Sequence, residues 1–390
     1  MIAPPAYLAA VLDGGLLLAA GLYAAGIRWL ASGIREQPAV GTGLPGVSVV
    51  VAARDEGARI GTCLAQLLDQ DYPADLFEVI VVDDGSVDET ARLVGAAVQR
   101  DPRVRLLSTE AELGRSGAKK AALSLGVGAA TGEVILTTDA DCRVPLTWIR
   151  SMVAAFRPEV GMVCGFSQIG EPGQARSFRQ RYETLDFLGL MGCILGSVDR
   201  GHPMGASGQN LAYRREAFRE IGGYERVKDR ASGDDVLLLQ LLRRFTRWGV
   251  AFATAPDARV VHPWAASWSA LLRQRTRWAS NAPCQLRLDP AFFGLMVAAF
   301  LLSLGLLAAP LLIAWSALDP WAVGLALVLK LSAEWPLLRR AAALFGRTDL
   351  LGFFPGWALI QPVHVVVVGI LGCLGVFTWK GRRHRWGRQR

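Results

Sequence analysis

VSVVVAARDEGARIGTCLAQLL, residues 47–68, followed by EVIVVDDGSVDET, residues 78–90, decides how this chain folds. The run 47–53 is apolar at almost every position, too continuous for a strand with one wet face, and it breaks at Arg54, Asp55 and Glu56 before a helical stretch near Ala58 to Asp69. The unit then repeats. A second run at 78–84 ends in Asp83 and Asp84, and a helix is predicted near Glu89 to Gln99. VRLL (104–107), a helix near Ala118 to Ala130 and EVILTTD (133–139) continue the alternation. Continuous β-branched strands separated by helices predict an α/β fold, a mainly parallel sheet covered by helices on both faces. Further on, Gln174 to Leu195 and Asp234 to Trp248 read as helices, so the second half of this region is α+β.

Outside this region the composition changes. The 390 residues are 52% hydrophobic and 19% charged, with a mean hydropathy of +0.30, which excludes an ordinary soluble enzyme, a coiled coil, a collagen-like chain and a disordered one. The apolar residues collect in the first 30 positions and again after about position 290. Ala6 to Leu30 is apolar apart from Asp13 and Arg28, and no basic segment precedes it. It therefore reads as a membrane anchor rather than a cleaved leader. Arg28 and Arg35 at its end place the central domain in the cytosol. Three more apolar segments come after that domain: Phe292 to Ala317, Trp321 to Leu338 with Lys330, Glu334 and Pro336, and Phe353 to Trp379 with Pro355 and Pro362. If all three cross, the tail KGRRHRWGRQR (380–390) emerges outside, against the positive-inside rule. Either one segment is re-entrant or interfacial, or the tail breaks the rule. The resulting plan is an anchor at 1–35, a cytosolic domain at 46–262, an amphipathic interfacial region at 263–290, two or three spans within 291–380 and a basic tail at 381–390, in a cytoplasmic membrane.

The net charge of +8 is partly placed beside the apolar segments, which matches anionic headgroups, and no basic stripe with stacking aromatics points to nucleic acid. Cys63, Cys142, Cys164, Cys193, Cys284 and Cys373 form no CxxC pair and read as reduced structural thiols.

Ligands of open parallel sheets bind beyond the carboxyl ends of the strands. Three of these ends carry acids: Asp55 and Glu56, then Asp83 and Asp84, then Asp139 and Asp141. Each alone is also explained as a turn or helix cap. Three on one sheet edge repel one another unless a cation sits among them, and a hard divalent ion with a diphosphate is the economical partner.

At this point the residues resemble a known family. The two opening stretches, GAKKAAL (117–123), TTDADC (137–142), GQNLAYRREAFREIGGY (208–224), SGDD (232–235) and QRTRW (274–278) are similar, in order, to family 2 glycosyltransferases with the GT-A fold, over roughly Gly46 to Asn281. QRTRW resembles the QxxRW signature of the membrane-embedded branch that includes cellulose and hyaluronan synthases. The resemblance implies that Glu56 contacts the nucleoside, although the chain reads AARDE where the family has PxxNE, with Asp55 replacing the asparagine. It implies that Asp84 holds the uracil or ribose and Lys119 the base. Asp139 and Asp141 match the DxD motif, Asp141 binding the Mg²⁺ or Mn²⁺ that bridges the diphosphate. Asp235 matches the general base with Asp234 beside it, although both also suit the first turn of a helix. Asn210 is expected at the donor sugar. On a helix Gln274, Arg277 and Trp278 share one face while Arg275 points elsewhere. By resemblance this segment serves the acceptor and diphosphate, and an interfacial helix with a Trp belt explains its other face. Some GT-A enzymes take a late histidine as metal ligand, and His262 is either that or a structural residue beside Pro263 and Trp264.

The expectation is a membrane-bound inverting glycosyltransferase that moves a sugar from a nucleoside diphosphate donor, UDP by family default, to a lipid or glycan acceptor. The alternatives are a processive polysaccharide synthase, for which three or four spans are few, and a non-catalytic nucleotide-binding membrane protein. The oligomeric state is left open.

Overall fold

Alternation along β1 (Val47–Ala53) builds the two faces of the sheet: Val47, Val49 and Val51 enter one apolar core and Val50 the other. The computed structural model describes residues 6–39, 41, 43–113, 119–230, 232–375, 377–379 and 382–384. The first core is closed by α2 (Ile60–Leu68), α3 (Thr90–Arg100) and α6 (Trp148–Val153), and the second by α5 (Lys119–Ala129), which follows the short α4 (Thr109–Leu113). β1 pairs in parallel with β2 (Phe77–Asp83) and with β4 (Val134–Thr137), and β2 pairs in parallel with β3 (Val104–Ser108). The order continues with β5 (Val160–Gly165), β7 (Leu211–Arg214) and β8 (Gly249–Ala253), giving a seven-stranded sheet β3-β2-β1-β4-β7-β5-β8 in which β7 runs antiparallel to both neighbours. β6 (Ser167–Ile169) and β9 (Val260–His262) form a separate parallel pair. The GT-A fold expected from the sequence is the fold observed. The strand and helix boundaries read from the sequence lie within a few residues of those observed in this half.

The second core does not stop at the sheet. It runs on into α1 (Ala6–Ser32) and α7 (Phe178–Asp199), past α8 (Arg215–Glu220) and α9 (Val236–Phe245), then α10 (Trp268–Ala279) and, beyond the short α11 (Ala282–Leu288), which adds nothing to it, α12 (Pro290–Ala314), α13 (Pro320–Leu344) and α14 (Phe354–Leu374). α7 crosses α1 so closely that a Cβ on Gly196 would lie 2.1 Å from the Leu30 carbonyl oxygen. Four helices, at 7–32, 290–314, 320–344 and 348–374 with its leading 3₁₀ turn, are long and apolar enough to cross a membrane. The last apolar segment ends sooner than the sequence suggests, because Gly375 adopts a left-handed φ of 62° and caps α14. Phe377–Trp379 is a short strand paired with Arg382–His384, and the rest of the basic tail lies outside the described residues.

Candidate active site

The acidic ends of β1 and β4 meet at one buried sulfur on α2: burial, and then the Asp141, Asp139 and Glu56 carboxylates, push the Cys63 thiol up to about 12. The β2 end joins through Arg54, whose guanidinium lies 3.8 Å from Asp55 and 3.8 Å from Asp84. Asp55 sits at a left-handed φ of 52°, and its Oδ1 accepts from the Val87 amide at 2.9 Å. Asn and Asp are the side chains that tolerate this conformation, and either offers that oxygen, so the AARDE departure keeps the turn. Glu56 donates its amide to Thr90 Oγ1 at 2.8 Å. Asp84 is buried, with Thr109 Oγ1 donating to it at 2.9 Å and Arg54 at 3.8 Å.

Lys119 ties this edge to the second half. Its ammonium lies 2.7 Å from Asp139 Oδ1 and 2.8 Å from Asp234 Oδ2. Burial alone would lower its pKa, but the two carboxylates hold it well above the ordinary lysine value. Burial likewise raises both acids of the pair, yet Lys119 brings Asp234 below the ordinary range, while Asp235, facing Asp234, stays above it. Asp235 caps α9 through the Val236 amide at 2.6 Å and accepts from the Gly208 amide at 3.0 Å. A Cβ on Gly208 would lie 2.9 Å from Asp234 Oδ2, so glycine there lets the acid pair approach. Arg277 reaches the same place, donating to Ser232 Oγ at 3.3 Å.

The Asp139 and Asp141 carboxylates and the Cys142 thiol lie within 4.8 Å of one another. Burial and the two acids push the Cys142 thiol well up, leaving the carboxylates as the anionic donors. A cavity of about 290 Å³ carries Asp141, Cys142, Arg59, His262 and Trp264 on its wall. His262 is buried, its Nδ1 faces the Pro263 carbonyl at 3.1 Å, its Nε2 has no hydrogen-bond partner among the described residues, and burial lowers its pKa to about 4. The two carboxylates are donors that suit Mn²⁺ or Mg²⁺, and the neutral His262 imidazole shares the cavity wall with Asp141.

Two residues sit differently from the sequence reading. Asn210 is not brought to the site: it is fully buried, accepting from Trp148 Nε1 at 2.9 Å and donating to the Phe166 and Ala258 carbonyls at 2.9 and 2.7 Å. Its amide fastens β7 to neighbouring segments. On α10, Arg275 does not stand apart from Trp278, because residues three apart also share a face: its guanidinium stacks on the indole at 4.3 Å and pairs with Asp186 at 3.3 Å. Gln274 lies half-buried beside it, its Oε1 3.4 Å from Arg275 Nη1. The sequence reading had no motif for Asp186, Tyr182 or the rest of α7; the signal available was polar residues spaced along an otherwise apolar helix.

Residues 48–222 match the profile of glycosyl transferase family 2. The match runs from β1 through α8, and over that stretch the chain is similar to the family. The chain is 30% identical over 243 residues to a beta-monoglucosyldiacylglycerol synthase of Synechocystis, a match covering 61% of this chain and 48% of that one. It is also 30% identical over 247 residues to an N-acetylglucosaminyltransferase of Rhizobium meliloti, covering 61% and 56%. The chain thus spans about half the length of these curated relatives. A mannosyltransferase from Pyrobaculum calidifontis, solved with GDP-Man and Mn²⁺, superposes with a TM-score of 0.62 at 20% identity, over 93% of this chain and 98% of that one. At that identity the likeness establishes the fold alone.

Proposed function

We propose that this protein is a membrane-bound inverting glycosyltransferase that moves a sugar from a nucleoside diphosphate donor, a UDP-sugar first, to a hydroxyl of a lipid acceptor. The observation that carries the reading is Lys119, whose single ammonium spans Asp139 of the DxD turn and Asp234 of the acid pair. The diphosphate end and the proton-accepting end of a displacement are therefore one ammonium apart. Glu56 and Asp84 hold the nucleoside, and Lys119 the base or diphosphate. Asp139, Asp141 and His262 would hold a divalent ion, Mn²⁺ or Mg²⁺, which neutralises charge on a departing nucleoside diphosphate. Asp235 takes the acceptor proton: its raised pKa makes it the better base of the pair, while Asp234 stays ionised against Lys119. Arg277 stands by for the diphosphate, and Trp278 with Gln274 for the acceptor.

The diacylglycerol synthase relative and the four apolar helices favour a lipid acceptor. Arg28 and Arg35 favour a catalytic domain facing the cytosol.

The test is nucleotide release by purified protein with Mg²⁺ or Mn²⁺, across UDP-, GDP- and dTDP-sugars, with and without lipid extract. Lipid-stimulated release that vanishes in Asp141→Asn and Asp235→Asn, with one sugar on a lipid, is expected. A growing polymer without lipid would replace this reading with the processive one, and no release from any donor would overturn it.

A further inference from the structure

α14 has two unlike faces. Leu359, Val363, Val367 and Ile370 are exposed and apolar, whereas Trp357, Gln361 and His364, spaced four and three residues apart, turn inward. An inward polar face is unusual in a helix apolar enough to span a bilayer, and such groups mark sites more often than they aid packing. What they meet is polar too. The His364 ring stacks on Tyr182 of α7 with centroids 5.5 Å apart, and Tyr182 also packs on Trp268 of α10 at 5.6 Å. Beside them Arg275 pairs with Asp186, and Arg179 with Glu183 at 3.0 Å.

Hydrogen bonding in this junction is incomplete. Among the described residues, the buried Tyr182 hydroxyl has no partner, and neither does Nε of Arg275, which is 4% exposed. Further along the inward face of α14, Trp357 Nε1 and Gln361 Oε1 are buried and without partners among the described residues. Burying such groups is expensive unless they are bonded, and a hydroxyl-bearing ligand offers both the donor and the acceptor that they call for. The junction is continuous with the reaction centre: Arg275 stacks on Trp278, Trp278 lies 5.9 Å from Phe187, and Phe187 meets His262 edge-on at 5.2 Å.

We propose that the junction of α7, α10 and α14 binds the headgroup of a neutral, hydroxyl-bearing lipid, with Tyr182, Asp186, Arg275 and His364 as its recognition groups. This rests on the lipid-acceptor reading above and names the acceptor's class. Neutrality follows from the charges: Arg275 is already matched by Asp186 and Arg179 by Glu183, so a lipid phosphate brought here would sit against the Asp186 carboxylate. A glycerol ester headgroup donates its free hydroxyl to Asp186 and accepts from Tyr182 and Arg275.

The test uses the full chain in phosphatidylcholine nanodiscs with two photoreactive probes of identical acyl chains, a diazirine diacylglycerol and a diazirine phosphatidic acid. The neutral probe is expected to label α10 or residues 354–367, in competition with dioctanoylglycerol, and the anionic one to label other segments. Tyr182→Phe keeps the ring and removes the hydroxyl. It should cut this labelling and raise the lipid KM about fivefold while leaving the donor KM and nucleotide binding with Mn²⁺ unchanged, using UDP, GDP or dTDP, whichever the wild type binds. Asp186→Asn should act the same way. Equal or preferential labelling by phosphatidic acid, or labelling indifferent to both variants, would overturn the site. Labelling here without sugar transfer to lipid from any donor sinks the transfer reading and leaves the site standing; glycolipid formation with labelling only elsewhere does the reverse.

Discussion

Lys119 and Lys330 are both lysines held among carboxylates, and they are built in opposite ways. Lys119 is 18% exposed and joins Asp139 after β4 to Asp234 before α9, two segments far apart in the chain. Lys330 is 2% exposed and closes on Glu334 one turn along α13, with both carboxylate oxygens at 2.7 Å and the Tyr23 hydroxyl donating to one of them. The proposed function puts the first arrangement where a donor enters and charges are shared anew. The second is complete within one helix and its neighbour. The buried ion pair in the apolar α13 is thus a structural pin, whereas the proposed function assigns the bridge at the sheet edge to the chemistry.

The largest effect is expected on the side of Lys119. Asp235→Asn should lower transfer by roughly 10³-fold, the scale of a lost general base, with thermal unfolding and donor binding little changed. The pH profile sharpens this: because the Asp235 carboxyl is raised, kcat/KM should fall on acidification through a value above the ordinary carboxylate range. Asp234→Asn, which removes the facing charge, should move that limb to lower pH. A limb at the ordinary aspartate position would show that Asp235 does not act as the base.

On the side of Lys330 the expected effect is on stability. Lys330→Met alone leaves Glu334 buried without its cation and should destabilise by about 3–5 kcal/mol, while Lys330→Met with Glu334→Leu should recover most of that loss. Unfolding in detergent measures both, and the activity of the folded fraction should match wild type. Loss of activity in a stable double variant would mean that the pin serves the reaction as well.

The same contrast separates what was legible from what was not. The sheet edge was readable because its residues are local: an apolar strand, an acidic turn and a helix succeed one another within about 20 residues, repeatedly. The junction of α7, α10 and α14 was not, because its members come from three helices and only their packing makes Tyr182, Arg275 and His364 neighbours. Asn210 shows the other failure, since a motif position identifies the turn but not which way the side chain points. Asn210→Ala should therefore cost about 2–3 kcal/mol of stability, by stranding Trp148 Nε1 and two carbonyls, and leave the donor KM unchanged. A raised donor KM at full stability would return Asn210 to the sugar.

Lys120 gives the smallest effect and compares the bridge with its own neighbour. It is 3% exposed, donates to the Ser232 carbonyl at 2.8 Å, and burial lowers its pKa from 10.5 to about 8 despite Asp234 and Asp235 nearby. Below pH 8 folded and unfolded chains both carry the proton, and folding bears the full cost of burying the ammonium. Between about 8 and the unfolded value the folded chain has released a proton that the unfolded chain still holds, so stability rises with pH. Lys120→Met cannot titrate. The wild type should therefore gain a few degrees in Tm relative to Lys120→Met between pH 7.5 and 10. A flat difference would mean that the acid pair keeps Lys120 charged, and that Lys119 shares with it the work of holding Asp234 ionised.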